Sequence, residues 1–210
     1  MCIRDRNYTI QVQDANGCLT DTIVNLPGAA ALNLEINGDS PIQLGDSTAL
    51  MALINIPLNT VDTFYWEDTT YLSCQGCYDP MSTPEQTTTF YATLIDENGC
   101  IVENEITILV EKERLIYIPS AFSPNGDGIN DLLQIYGGTG VDKIHTFKIY
   151  NRWGALVFEQ NDFKPNNPIN GWDGKQKGDY LNPDVFAYYV LVEYTDGFMK
   201  EYKGDINLLK

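Results

Sequence analysis

The sequence has few positive charges. Its 210 residues include 13 Lys and Arg and a single His against 29 Asp and Glu, which gives a formal net charge of -16. A surface this acidic opposes binding to nucleic acid or to an anionic membrane, and it leaves divalent cations as the favoured charged partners. With His145 as the only His, no GxSxG and no glycine-rich loop leading into a helix, we predict no catalytic residues.

Long hydrophobic runs and helical periodicity are also missing. No run of 18 apolar residues occurs, so we predict no transmembrane segment. No stretch of ten or more residues shows the spacing of a helix, while 13 Tyr and repeated Thr and Val/Ile runs favour strands. The sequence therefore predicts an all-β fold of tandem Ig-like antiparallel β-sandwiches.

One segment occurs twice, 82 positions apart. Tyr8 to Cys18 (YTIQVQDANGC) is matched by Phe90 to Cys100 (FYATLIDENGC), with Asp, Asn, Gly and Cys at corresponding positions. In both copies an alternating strand meets an Asn-Gly turn and a returning apolar strand, which predicts a β-hairpin that ends a module. A period near 80 residues suits tandem β modules, and the first copy has no module in front of it.

The repeat and the charged join at 111–114 divide the chain into three predicted parts. Residues 1–28 are interpreted as the C-terminal hairpin of a truncated upstream module, in which residues 1–6 do not match the repeat and are taken as non-native. Residues 29–112 are predicted to form an Ig-like sandwich with Trp66 in its core, and residues 113–210 a second sandwich. Carbohydrate stacking is the alternative role for Trp66.

The segment Phe122 to Asp131 (FSPNGDGIND) is the sharpest local motif. Oxygen-bearing side chains at alternate positions resemble the start of a calcium loop, in which Asn125, Asp127 and Asp131 would supply the ligands. Calcium is thus the one candidate cofactor. The alternative is a rigid polar turn, in which these side chains accept hydrogen bonds from their own backbone and the glycines take positive φ.

Cys74 and Cys77 have the spacing of half a zinc site, but no second pair and no suitable His complete it. We predict a structural disulfide between Cys74 and Cys77, with Cys77 and Cys100 as the alternative pair. Five cysteines among so few basic residues fit an extracellular or periplasmic protein. Around Trp172, the run NGWDG predicts a turn held by a buried ring, with contact to sugar as the alternative.

Four motifs after residue 115 identify a resemblance. They are IPSAFSPNGDGIND at 118–131, IYNRWG at 149–154 followed by LVFE, GWDG at 171–174, and the ending KG…LLK at 203–210. In this order they closely resemble the gliding-motility-associated C-terminal domain, the type B sorting signal of the Bacteroidota type IX secretion system. Residues 30–112 look like the Ig-like module that commonly precedes this signal.

The resemblance implies a non-enzymatic sorting and anchoring role. A protein carrying such a domain would be recognised by the type IX secretion machinery and held at the outer-membrane cell surface, in association with gliding motility or adhesion. We expect Asn125, Gly126, Asp127 and Lys210 to contact the machinery, the last at the end of a strand whose edge could accept a partner strand. The alternatives are an adhesin module that binds a surface polysaccharide or protein, and an accessory module of a secreted hydrolase.

Overall fold

A computed structural model describes residues 6–26 and 31–209. These residues contain 20 β-strands and two 3-10 helices, Leu58–Thr60 and Pro168–Asn170, which confirms the all-β prediction. In chain order the strands are β1 Arg6–Gln13, β2 Leu19–Leu26, β3 Leu34–Asn37, β4 Ile42–Gln43, β5 Thr48–Ala49, β6 Met51–Ile54, β7 Val61–Trp66, β8 Met81–Ser82, β9 Thr88–Asp96, β10 Ile101–Ile108, β11 Val110–Glu111, β12 Ile116–Tyr117, β13 Ala121–Phe122, β14 Tyr136–Gly137, β15 Val141–Tyr150, β16 Leu156–Phe163, β17 Lys175–Gln176, β18 Asp179–Tyr180, β19 Asp184–Tyr194 and β20 Met199–Leu208.

The chain divides into two compact units. The first contains the described residues up to Gly38 together with Ala49–Met81 and Thr89–Ile106, and the second contains Asp39–Thr48, Ser82–Thr88 and the chain from Thr107 onward. The division therefore groups residues 39–48 with the C-terminal part of the sequence. The boundaries expected at residues 28 and 112 stay a prediction.

In the first unit, β1 and β2 form an antiparallel hairpin in register from Arg6↔Leu26 to Gln13↔Leu19, and its described side chains are exposed. The other strands bury a core in which the Trp66 indole is fully covered and donates from Nε1 to the Cys77 carbonyl at 2.9 Å. This confirms the expected burial of Trp66. The remaining core residues are Leu34, Leu50, Ala52, Phe64, Phe90, Ala92 and Leu94.

The second unit is built on a five-stranded sheet in the order β13-β20-β19-β15-β16. Its long strands are antiparallel, and β13 alone runs parallel to its neighbour, β20. Alternate residues of these strands point into one core, as expected from the period of two in a strand. The core residues include Phe122, Leu133, Ile144, Phe147, Ile149, Trp172, Phe186, Val190, Val192, Tyr194, Ile206 and Leu208.

Leu44 belongs to the core of the second unit although it precedes the other core residues by more than 70 positions. The next residue, Gly45, has φ +86°, and a Cβ there would lie 2.3 Å from the Thr139 carbonyl oxygen. Gly140 lies on the opposite backbone segment of this contact, and a Cβ added there would lie 2.9 Å from the Leu44 carbonyl oxygen. Only glycine at both positions allows the two backbones to approach this closely.

Four hairpins share one turn. In each five-residue turn, the N–H of the first residue donates to the carbonyl of the fifth residue. The N–H of a glycine at the fourth position donates to the carbonyl of the first residue, and all of these N···O distances are 2.8–3.1 Å. Only that glycine takes positive φ, at 75–84°, which corresponds to a type I turn followed by a glycine bulge. The turns span Asp14–Cys18, Asp96–Cys100, Asn151–Ala155 and Tyr194–Phe198.

No helix among the described residues has the length and hydrophobicity needed to cross a membrane.

Candidate recognition surface

The loop after β13 is held by one carboxylate. The Asp131 side chain accepts from the Gly126 N–H at 2.7 Å through Oδ1 and from the Gly128 N–H at 2.8 Å through Oδ2. Both glycines have φ near +80°, which lets their amides turn toward the same acceptor. A further bond from the Ser123 N–H to the Asn130 carbonyl closes the loop at 2.9 Å. The loop is thus fixed by its own polar groups.

Asn125 and Asp127 complete this network on the exposed side of the loop. The Asp127 carboxylate accepts from the Asn125 side-chain amide at 2.9 Å and from the Ile129 N–H at 2.7 Å. These two bonds, that of Asn125 foremost, lower the pKa of Asp127 because they favour the charged carboxylate. Asn125 Oδ1 in turn accepts from the Asp127 N–H at 3.0 Å.

The side-chain oxygens predicted to bind calcium therefore serve as acceptors of N–H groups in the structure. Among the described residues, no group of three or more His, Cys, Asp or Glu is placed to hold a metal ion. The arrangement matches the rigid polar turn that the sequence offered as the alternative. Calcium binding by Asn125, Asp127 and Asp131 stays a prediction.

A cleft of about 410 Å³ lies beside the loop. Its volume is within the range of small-ligand sites, but its walls are mixed in polarity and it opens to solvent. Tyr136 lines the cleft, and its exposed ring lies 5.9 Å from the exposed ring of Tyr117. The walls include Pro119, Phe122, Asn130, Asp131, Leu132 and Pro168.

Burial separates the aromatic residues of the motifs into two groups. Phe122 and Trp172 are buried, with ring centroids 5.2 Å apart, and the Trp172 indole donates to the Lys175 carbonyl at 2.9 Å. Trp172 therefore holds the turn at 171–174 from inside the core. Trp153 differs, because 85% of its surface is exposed although the turn that carries it is fixed by Asn151.

The cysteine pair lies in the first unit. Cys74 and Cys77 are joined by a disulfide whose Cα atoms are 6.0 Å apart, within the ordinary range for such bonds. The alternative pair of Cys77 with Cys100 is therefore not formed here. The loop that the disulfide closes also supplies the Cys77 carbonyl that satisfies the Trp66 indole, so the pair has a structural role.

Sequence reasoning placed recognition at Asn125, Gly126, Asp127 and Lys210. The structure puts the first three on the exposed loop, and Lys210 lies outside the described residues. Two features were missed. The local sequence does not reveal that Trp153 is exposed, because Trp172 also lies beside a glycine and is buried. The packing of Leu44 depends on contacts with residues distant in the sequence.

The fold is therefore that of an Ig-like β-sandwich with a large aromatic core and an exposed, self-bonded loop at 125–131. Residues 116–208 match the family described as CHU_C Type IX secretion signal domain. The match confirms the resemblance for this part of the chain. The family is a secretion signal, a non-catalytic kind of domain.

Several solved structures show distant similarity to the chain. The Bacteroides ovatus glucan-utilisation protein SGBP-B, in complex with a mixed-linkage heptasaccharide, is 14% identical with a TM-score of 0.30, over 100% of this chain and 54% of its own. Dimeric latent PorU from Porphyromonas gingivalis is 12% identical with a TM-score of 0.31, over 98% of this chain and 24% of its own. A tetra-tandem repeat from the extending region of a large adhesion protein is 13% identical with a TM-score of 0.37, over 98% of this chain and 57% of its own.

The chain thus spans about half the length of SGBP-B and about a quarter that of PorU. These similarities carry no argument about function. No curated protein matches the chain.

Proposed function

We propose that residues 116–208 direct the protein that carries them through the type IX secretion system to the outer-membrane surface, and that they turn over no substrate. The observation that carries the proposal is the family match over these residues. The site agrees with it, because the motif loop is held rigid by Asp131 and leaves Asn125 and Asp127 exposed. A rigid surface loses little conformational entropy when a partner binds it.

Delivery of a fused protein to the cell surface tests the proposal. The whole 210-residue chain, fused behind a periplasmic reporter in a type IX-competent cell, should make the reporter accessible to protease added outside the cell. The same fusion ending at Lys112 should leave the reporter protected in the periplasm, as should the whole fusion in an isogenic cell without the secretion system. A reporter that stays in the periplasm with the whole chain attached would contradict the sorting role.

Retention and the association with gliding or adhesion form the finer part of the proposal. We expect the protein to stay attached to the surface after export, and we expect residues 30–112 to act as a spacer in front of the signal. A glycan array probed with residues 1–210 tests the adhesin alternative. Binding to a glycan would favour that alternative if it is abolished by Glu67→Lys, which changes the small cleft that Glu67 and Tyr91 line.

A further inference from the structure

The last strand of the second unit leaves one of its sides open. β20 pairs with β19 from Met199↔Glu193 to Leu208↔Asp184 without a register shift. On the other side, β13 covers only Asn207 and Leu208. Among the described residues, no strand pairs with Met199 to Ile206 on that side.

Two bonds to the segment of β13 fix the direction of the free backbone groups. The Asn207 N–H donates to the Ser120 carbonyl and the Leu209 N–H donates to the Phe122 carbonyl, both at 2.9 Å. Successive residues of a strand point their backbone groups to opposite sides. The N–H and C=O groups of Asp205, Lys203 and Glu201 therefore point away from β19, to the same side as the Asn207 N–H that binds the segment of β13.

The side chains beside this edge define the chemistry of a matching strand. Glu201, Lys203 and Asp205 are exposed on one face, and Ile206 is buried on the other. Their charges alternate, so an incoming strand would be favoured by the order basic, acidic, basic on the same face. A strand of random charge would be opposed, which is how exposed edges avoid non-specific pairing.

We propose that the Met199–Ile206 edge of β20 accepts an extended strand of the secretion machinery, added to the sheet beside β13. The proposal rests on the function proposed above. Continuity with β13 supports it, because the edge already takes a strand at its C-terminal end. A second copy of this chain is the less favoured occupant, because two chains of net charge -16 repel each other.

Removing one outward N–H tests the edge. Lys203→Pro deletes that donor and places the ring where the incoming strand would lie, while proline is tolerated at outward positions of edge strands. Lys203→Thr is the matched control, because it removes the same charge and keeps the N–H. In the whole chain with its reporter, we expect surface delivery to fall about tenfold for Lys203→Pro, since a lost hydrogen bond and a steric block together exceed about 1.4 kcal/mol. Lys203→Thr loses only one exposed charge, so we expect delivery to fall by no more than about twofold.

A second variant keeps the experiment decisive if proline disturbs the fold. Glu201→Lys combined with Asp205→Lys leaves every backbone group in place and reverses the two charges that the basic residues of the incoming strand would meet, so delivery should again fall. Near-normal delivery of both variants, with amide exchange showing β19 and β20 intact, would overturn the inference. Self-association of the wild-type chain that is lost in Lys203→Pro would also overturn it, in favour of a second copy. Failure of the wild-type chain itself to reach the surface would refute the proposed function instead.

Discussion

The same hairpin turn carries different residues in the two units. In the first unit, the two middle positions hold Ala15 and Asn16 in one copy and Glu97 and Asn98 in the other, and these side chains are exposed. In the second unit they hold Arg152 and Trp153, and then Thr195 and Asp196. The backbone bonds of all four turns agree to within a few tenths of an ångström. All four turns share the glycine of positive φ at the fourth position, and the middle pair is free to take on other roles.

Asp196 binds two basic residues of the same unit, Lys112 and Arg114. Its carboxylate accepts two bonds from the Arg114 guanidinium, at 2.8 and 3.0 Å, and one from the Lys112 ammonium at 3.0 Å. The guanidinium also lies 4.0 Å from the centroid of the Phe198 ring and 4.7 Å from that of Tyr194. Little of the carboxylate is exposed, so these contacts are only weakly screened by solvent.

The largest difference between the turns should appear when Asp196 and its counterpart Asn98 are each changed to Ala. Asp196→Ala leaves Arg114 without its bidentate partner, and we expect it to lower the free energy of unfolding of the second unit by about 2–3 kcal/mol. Asn98→Ala should cost less than about 0.5 kcal/mol, since its side chain is exposed. Amide exchange of β19–β20 and of β9–β10 measures the two units separately. Equal effects would show that the Arg114 contact contributes nothing.

The effect of Asp196→Ala should also depend on pH. The bonds from Arg114, and then the one from Lys112, hold the pKa of Asp196 far below its usual range, with burial opposing them. A carboxylate whose pKa is lower in the folded state stabilises the fold above its unfolded pKa of about 3.9, and loses this contribution as the pH falls toward its folded pKa. The difference between wild type and Asp196→Ala should therefore be full at pH 7 and shrink below about pH 4, as measured by urea unfolding. A difference that grew on acidification would contradict the ion pair.

A smaller effect is expected at the first position of the turn. Asn151 accepts from the N–H groups of Trp153 and Ala155, and Asp96 accepts in the same way from those of Asn98 and Cys100. Asn151→Ala and Asp96→Ala should each cost about 1 kcal/mol in their own unit, because two N–H groups lose an acceptor but can turn to water. Asn151→Asp keeps the acceptor and serves as the control. A loss as large in Asn151→Asp as in Asn151→Ala would exclude these bonds as the cause.

The smallest effect is expected at Trp153. Trp153→Ala should change the free energy of unfolding of the second unit by less than about 0.5 kcal/mol, because the ring is exposed and the turn is fixed by Asn151. Trp172→Ala should cost about 3–5 kcal/mol, since it empties the core. Denaturant unfolding followed by circular dichroism measures both. A large loss in Trp153→Ala would mean that this ring packs against the protein after all.

The sequence predicted what depends on local pattern. Alternation predicted the strands, the two Asn-Gly turns predicted their hairpins, and the order of motifs from Ile118 onward predicted the family match. It did not predict which tryptophan is exposed or that Leu44 joins the second core, because both depend on contacts between residues far apart in the chain. For the loop at 125–131, sequence offered calcium and a self-bonded turn, and the positions of the Gly126 and Gly128 amides show how the second is built.

The difference in exposure between Trp153 and the other two tryptophans allows binding to be followed by intrinsic fluorescence. Trp66 and Trp172 are shielded in the two cores, whereas Trp153 stands in solvent. Iodide in the buffer should therefore quench the emission of one fluorophore in three, without a label. Any partner that covers the end of the sheet carrying this ring should reduce that quenching and shift the emission to shorter wavelength, so that binding can be followed in the unmodified protein.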